Sequence, residues 1–282
     1  KEEILYVKGS GWDLVSIEKD GFSPVRMAHM LDLSKLKSLS DPQMVNELKT
    51  QLTNATSPTP SVETILHAIL PFKYVDHTHA DAVVTISNTL NGEERIRKIY
   101  GNRVVIVPYV MPGFDLAKEV GRLFSEMASE ETEGMVLLNH GIFSFGNTAR
   151  ESYERMINLV NAAEQYLVSQ NAWDIEKPLT DVKSKKIRND VSQLRQKISL
   201  VAGNPVLLNL TNSLRGISFS NRDDVETIAT RGPLTPDHVI RTKRMPMIGR
   251  DVEKYVKEYV SYLNTPVSYT HLRAHETLRY II

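Results

Sequence analysis

The chain contains no cysteine, which excludes disulfide bonds and thiolate metal sites. A charge excess of either sign is also missing, since 34 Lys and Arg balance 34 Asp and Glu. We therefore expect no nucleic-acid partner and no anionic-membrane partner. No apolar stretch approaches the length of a membrane span, and the first residues, KEEILYVKG, do not form a signal-peptide pattern. The remaining composition, 41% hydrophobic over 282 residues, is that of an ordinary globular protein, which we expect in the cytoplasm.

Strand-like and helix-like patterns alternate closely along the chain, which predicts an α/β fold in which helices cover a sheet. Short apolar or β-branched runs predict strands at 4–7, 74–79, 82–87, 103–108, 135–139, 142–145, 206–210 and 216–219. Periodicity and capping residues predict helices at 41–54, 62–70, 92–100, 115–128, 148–169, 182–201, 221–229 and 251–263, with a further helix start at Thr235-Pro236-Asp237.

The domain organisation follows from where apolar residues are concentrated. Residues 4–170 have enough of them for one compact core, whereas residues 171–266 have few to bury alone, so we expect 1–266 to form a single domain with an extension. Residues 267–277 read VSYTHLRAHET, which matches a translated sequencing-library adapter. We expect residues 267–282 to be a non-native tail, and His271 and His275 within it to imitate a metal pair without binding one.

Two histidines one residue apart, His77 and His79, stand in the β-branched run KYVDHTHADAVVTISNT. Side chains two apart on a strand point to the same face, so both imidazoles are directed at one point. A third histidine, His140, ends another apolar run, GMVLLNHG. Three imidazoles with an open fourth position are typical of a catalytic zinc site. Histidines that are satisfied by ordinary hydrogen bonds at strand edges and strand ends fit the same pattern, and this alternative stays open.

Carboxylates near these histidines are candidate acid/base groups. Glu63 lies in the first turn of the helix predicted at 62–70. In a dry pocket its proton affinity would rise toward neutrality, as a general base requires, although the helix dipole also favours a carboxylate there. Asp81 shares the face of the histidine pair if that strand continues, and would then orient a ring, whereas Asp76 faces away.

Small polar residues form a candidate anion site. The turn Gly9-Ser10-Gly11 and the helix start at Ser61 expose backbone N–H groups that would hold a phosphate or a carboxylate, and an ordinary turn and helix cap explain them equally well. Three kinds of weaker candidate remain. His238 could reach the pocket from the second half of the chain, and Tyr74, Tyr100 or Tyr109 could donate a proton. Lys73 is the nearest candidate for a Schiff base.

Four short motifs, in this order and spacing, resemble the class II aldolase/adducin family: KGSG at 8–11, SVE at 61–63, HTHA at 77–80 and NHG at 139–141. The resemblance covers residues 4–170. RGPLTPDHVIRTKR at 231–244 is similar to a subgroup of bifunctional rhamnulose-1-phosphate aldolase/short-chain dehydrogenase proteins. The family resemblance implies a phosphate loop upstream of Lys1, and the subgroup implies a dehydrogenase part downstream. These 282 residues contain no Gly-rich dinucleotide fingerprint, so we expect no NAD site in them.

The resemblance implies a three-layer α/β/α fold with a central, mostly antiparallel sheet. It implies that Zn2+ is held by His77, His79 and His140 and that Glu63 is the acid/base. It also implies that Ser10, Gly11 and Ser61 bind the phosphate of the substrate. The implied activity is that of a class II aldehyde-lyase in rhamnose catabolism. A homotetrameric enzyme would cleave a ketose 1-phosphate similar to rhamnulose 1-phosphate into dihydroxyacetone phosphate and lactaldehyde. A 4-epimerase or dehydratase would use the same histidines, and a non-catalytic, adducin-like interaction module is a further alternative.

Overall fold

The computed structural model describes residues 2–173, 188–211, 213–235, 238, 242 and 244–264. The chain divides into two compact units, Lys1–Leu167 and Val168–Ile282. No helix among the described residues is both long enough and apolar enough to cross a membrane. The tail predicted to be non-native, residues 267–282 with His271 and His275, lies outside the described residues.

The first unit alternates strands and helices, as the sequence predicts. Its strands are β1 (Ile4–Lys8), β2 (Phe22–Arg26), β3 (Tyr74–Thr78), β4 (Val104–Val107), β5 (Gly134–Leu137) and β6 (Gly141–Gly146). Its helices are α1 (Met27–Ser34), α2 (Asp41–Thr50), α3 (Thr64–Ile69), α4 (Asp81–Ser87), α5 (Gly92–Tyr100), α6 (Phe114–Met127) and α7 (Ala149–Ser169).

Four strands form the central sheet, in the order β3-β6-β5-β4. β6 is antiparallel to both β3 and β5, and β4 is parallel to β5, so the sheet is mixed and mostly antiparallel. β1 and β2 form a separate antiparallel pair. This order has one consequence for the site: β3, β5 and β4 run in the same direction, so their carboxyl ends meet at a single edge of the sheet.

Helices cover both faces of the central sheet, which confirms the predicted three-layer α/β/α fold. Val105, Met135 and Phe143 point to one face and pack in a core with residues of α1, α2, α3 and α6. Ile106 and Val136 point to the other face and pack with residues of α4, α5 and α7. This alternation has the period of two that a strand imposes. Each fully buried large side chain contributes about 1.5–3 kcal/mol through burial.

The strand predicted at 82–87 is wrong, because these residues form helix α4. Its buried side chains, Ala82, Val83 and Ile86, have i, i+1, i+4 spacing and pack on one side of the sheet. A short apolar run cannot be assigned to strand or helix from its pattern alone, and here packing against the sheet favours the helix over β-branched propensity. β3 therefore ends at Thr78, and Asp81 begins a helix instead of sharing a strand face with the histidines.

The regular elements described in the second unit are the helices α8 (Arg188–Ala202), α9 (Leu214–Ser220), α10 (Val225–Ala229) and α11 (Val252–Asn264). The strands predicted at 206–210 and 216–219 are wrong. The first segment has no regular structure, and the second lies in α9, where the Ser213 side chain caps the helix by accepting the Gly216 N–H. The helix start predicted at Thr235-Pro236-Asp237 lies partly outside the described residues. The extension of one domain through residue 266 stays a prediction.

Candidate metal centre

The sheet topology brings three histidines together at one edge. His77 lies on β3, His79 follows that strand by one residue, and His140 lies in the turn between β5 and β6. The carboxyl ends of β3 and β5 meet at this edge, and one ring nitrogen from each histidine lies within 4.8 Å of the others. His77 Nε2 and His79 Nε2 are 3.0 Å apart.

His77 is held in one orientation by its neighbours on β6. Its Nδ1 lies 3.0 Å from the Ile142 carbonyl oxygen, to which it donates, and its ring stacks on Phe143 with centroids 4.0 Å apart and planes 17° apart. Burial lowers the pKa of His77 to about 3, so its ring is neutral near neutral pH. A neutral imidazole that donates from Nδ1 presents a free electron pair on Nε2, which is the form that binds metal ions.

The carboxylate of Glu63 lies next to the histidines. Glu63 is the residue that precedes α3, and its Oε1 lies 3.2 Å from His140 Nε2 and 3.6 Å from His77 Nε2. The rise in proton affinity that the sequence suggested for Glu63 is not found: burial disfavours its charged form, but the facing imidazoles of His77 and His140 hold the pKa of Glu63 below its ordinary value. The site therefore combines an ionised carboxylate with three nitrogen donors in a pocket where the Glu63 side chain is 13% exposed.

The arrangement fits a divalent metal ion. Nitrogen ligands held about 2.0–2.1 Å from a tetrahedral zinc ion lie roughly 3.4 Å apart, which is within the spread of the three histidines. Two buried polar atoms here, Glu63 Oε1 and His140 Nδ1, have no hydrogen-bond partner among the described residues. An unsatisfied buried carboxylate oxygen is costly, and a cation next to it would compensate this cost.

The candidate phosphate-binding segments lie next to each other and next to Glu63. The Ser61 N–H donates to the Lys8 carbonyl, and the Ser10 N–H donates to the Thr59 carbonyl, at 3.2 and 2.8 Å. The Ser61 hydroxyl accepts the Glu63 N–H at 3.2 Å and so orders the turn before α3, which begins three residues after Ser61. The amides of Ser10 and Ser61 are both used within the protein, so neither is available to a ligand.

Gly141, directly after His140, is where β6 approaches the histidines most closely. A Cβ atom at this position would lie 2.7 Å from the Thr78 carbonyl oxygen, 2.9 Å from His77 Cε1 and 3.0 Å from His79 Cδ2. The close approach suggested by the His-Gly pair is therefore a real packing constraint, because two of these three contacts are shorter than side-chain contacts normally are.

Replacement of Gly141 by alanine should loosen the centre. The added methyl group has to displace backbone or ligand rings, and we expect a loss of about 1–3 kcal/mol in the free energy of unfolding, with zinc bound at least tenfold more weakly. Urea unfolding of the metal-free protein and a zinc titration measure the two effects. Gly121→Ala, inside α6 and near only the end of the flexible Ile69 side chain, is the control and should leave zinc affinity unchanged. Wild-type stability and affinity in Gly141→Ala would contradict this account.

The structure also separates the weaker candidates. Tyr100 is buried, its hydroxyl donates to the Leu159 carbonyl at 2.9 Å, and burial raises its pKa, so it has a structural role. Tyr74 begins β3 and is therefore at the edge opposite the histidines. Tyr109 follows β4 and lies at the same edge as His140, with half of its surface exposed. Burial and a backbone hydrogen bond set Tyr100 apart, whereas the relative direction of β3 and β4, which the sequence does not reveal, distinguishes Tyr74 from Tyr109.

Sequence analysis missed His67, which lies one turn after Glu63 on α3. Its ring centroid is 5.5 Å from that of Phe143, a buried core residue whose ring also stacks on that of His77. Burial lowers the pKa of His67, so it is a neutral, packed ring beside the centre. The i, i+4 spacing of Glu63 and His67 was the signal that could have identified it.

The comparisons with known proteins agree with this geometry. Residues 1–167 match the family described as Class II Aldolase and Adducin N-terminal domain, and residues 184–273 match the Aldolase class II, second domain. The structure of the N-terminal Class II Aldolase domain of a conserved protein from Thermoplasma acidophilum is 45% identical, with a TM-score of 0.54, over 58% of this chain and 75% of that one. The uncharacterized oxidoreductase YuxG of Bacillus subtilis (strain 168) is 31% identical over 291 residues and 92% of this chain. The chain spans 41% of that protein's length.

Proposed function

Because the chain belongs to the class II aldolase and adducin family, we propose that it is a zinc-dependent aldolase. Its substrate would be a ketose 1-phosphate similar to rhamnulose 1-phosphate, and its products would be dihydroxyacetone phosphate and lactaldehyde. One observation carries the proposal: three imidazole nitrogens lie within 4.8 Å of one another, with the Glu63 carboxylate 3.2 Å from one of them. A protein that serves only as an interaction module has no need of such a cluster in a buried position.

His77, His79 and His140 would hold the metal ion through their ring nitrogens. When bound, zinc supplies Lewis-acid stabilisation for the negative charge that develops when a carbon–carbon bond next to a carbonyl group breaks. The Nδ1 hydrogen bond of His77 and its stacking on Phe143 keep that ring in the orientation the site requires. The protein therefore orients its ligands before any substrate arrives.

Glu63 would move the proton. Its carboxylate is ionised and largely shielded from water, and it would accept a proton from the substrate and return it to the enediol carbon. Exclusion of water strengthens the electrostatic interaction between the Glu63 carboxylate and charge on the substrate.

The substrate's phosphate would be held by Ser10, Gly11 and Ser61. The backbone hydrogen bonds between residues 8–10 and 59–61 keep these segments side by side. The second segment ends two residues before Glu63. Binding energy from a phosphate remote from the reacting bond would orient the bond that breaks. This role of the two serines stays a prediction, as do the homotetramer and the link to rhamnose catabolism.

Product analysis with rhamnulose 1-phosphate tests the proposal. We expect about one zinc ion per chain and equal amounts of dihydroxyacetone phosphate and lactaldehyde, and we expect a chelator to remove the activity and added zinc to restore it. The triose phosphate is measured through a coupled reduction, and zinc by atomic emission.

The same experiment distinguishes the alternatives. A zinc-loaded protein that converts the sugar phosphate into an epimer or a dehydrated product, without release of a triose phosphate, would replace the aldolase proposal with another enzyme on the same metal centre. A protein that binds no zinc and turns over no sugar phosphate would support a non-catalytic interaction module.

A further inference from the structure

The residue before His140 is fastened to the end of helix α4. The Asn139 N–H donates to Ser87 Oγ at 3.2 Å, and the Asn139 side-chain amide donates to the Asn88 side-chain oxygen. Ser87 is itself buried, and its hydroxyl donates to the Val84 carbonyl at 3.2 Å. We call Ser87, Asn88 and Asn139 the α4 clamp. It connects two segments that are 51 residues apart in sequence.

Asn139 needs this support because of its backbone conformation. Its φ is +60°, in the left-handed region that side chains other than those of Asn and Asp rarely adopt. The next residue closes the turn, because the His140 N–H donates to the Leu137 carbonyl at 3.1 Å. An uncommon conformation next to a functional residue persists when the surrounding contacts fix it, and the clamp supplies those contacts.

α4 is connected to both parts of the metal centre. It begins at Asp81, two residues after His79, and it ends at Ser87, where the clamp begins. Its buried residues Ala82, Val83 and Ile86 anchor it in the core. One seven-residue helix therefore extends from a point two residues after His79 to the clamp that holds the turn carrying His140.

We propose that the α4 clamp positions His140 relative to His77 and His79, and so sets how tightly and for how long the centre retains a divalent cation. Asn139 is a positioning residue, because its side chain acts through a hydrogen bond to Asn88, the residue that caps the end of α4. The expected effect on cation binding rests on the proposed metal-dependent function. The expected effect on the turn rests only on the hydrogen bonds and the backbone conformation of Asn139.

The test uses variants on both sides of the clamp. Asn139→Gly keeps the positive φ and removes the amide, and Asn88→Ala removes its partner on the helix. Asn139→Asp is the conservative variant, because a carboxylate tolerates the same φ and accepts a hydrogen bond from the rotated Asn88 amide. Asn91→Ala is the matched control, since Asn91 is exposed, three residues from Asn88, and makes no side-chain cap.

Two measurements read out the clamp. In competition with a coloured chelator, we expect zinc to leave Asn139→Gly and Asn88→Ala about tenfold faster than wild type. The double variant should be no faster than either single variant, because all three lack the same contact. In the metal-free protein, hydrogen exchange of residues 137–142 should be about tenfold faster, with the global unfolding midpoint little changed. Asn139→Asp should restore both within about twofold, and Asn91→Ala should match wild type.

These outcomes decide the inference independently of the proposed function. Unchanged zinc release and unchanged exchange in both single variants would overturn it, and so would a uniform rise in exchange with a lower unfolding midpoint, which indicates a merely structural role. If the wild-type protein takes up no zinc, the proposed function fails, whereas faster local exchange in the variants still supports the positioning of the turn.

Discussion

Replacement of His79 by alanine is expected to abolish stoichiometric zinc uptake and to lower kcat/KM for aldol cleavage by about 10³-fold or more. The lost Lewis-acid stabilisation is worth several kcal/mol, and each 1.36 kcal/mol corresponds to a factor of ten in rate. His79 is the best choice of the three histidines, because His77 also stacks on Phe143 and His140 is buried in the turn. Its removal takes away a ligand with little loss of packing. Equilibrium dialysis against zinc and the coupled triose phosphate assay measure the two effects.

A histidine outside the centre provides the control. His29 on α1 pairs with Glu47 on α2 at 2.8 Å, and both side chains are one-third exposed. His29→Ala should keep one zinc per chain and wild-type cleavage, with a stability change of about 1 kcal/mol or less. If His79→Ala bound one zinc per chain with wild-type affinity, the triad would not be the metal site.

Replacement of Glu63 by glutamine is expected to keep zinc bound and to lower kcat by about 10²–10⁴-fold, which is the usual contribution of a positioned general base. Glutamine has nearly the same size and still fits before α3, but its amide does not accept a proton at neutral pH. Loss of turnover with retained metal would separate proton transfer from ligand binding. Single-turnover kinetics on the zinc-loaded variant and its zinc content provide the measurement.

Glu133 is a matched carboxylate far from the chemistry. It precedes β5, at the edge of the sheet opposite His140, and it pairs with Arg103 at 2.9 Å. Glu133→Gln should lose about 0–1 kcal/mol of stability and keep full turnover. Near-normal cleavage by Glu63→Gln with every aldol substrate tried would remove Glu63 from the role of base.

The proximity of His77 and His79 was predicted from strand alternation, and their ring nitrogens do lie 3.0 Å apart, although β3 ends at Thr78 and His79 lies directly after it. The approach of His140 could not be predicted, because it depends on β6 lying between β3 and β5, an order that no local pattern encodes. The three-layer architecture was predictable in kind from the alternation of elements and from the family motifs.

Two cases show where local patterns fail. The run that contains Val83 and Ile86 has the composition of a strand, yet it packs on the sheet as a helix, because burial against β-strands outweighs propensity. An anion nest in the Gly9-Ser10-Gly11 turn was one of two interpretations, and the Ser10 amide does not take part in one, because pairing of residues 8–10 with residues 59–61 uses it inside the protein. Both outcomes depend on long-range contacts that the sequence does not display.

β3 is an edge strand whose partner in the sheet is β6. Two of the three imidazoles lie at its carboxyl end, that of His77 on the strand and that of His79 directly after it. When this strand peels away, His77 and His79 depart together, while His140 stays with the β5–β6 hairpin. Any ligand that spans both groups therefore fastens the rim of the sheet, and its binding free energy is added to the cost of peeling. A bound ligand would thus keep β3 on β6, so that the backbone N–H and C=O groups that pair these two strands would not be exposed to another chain.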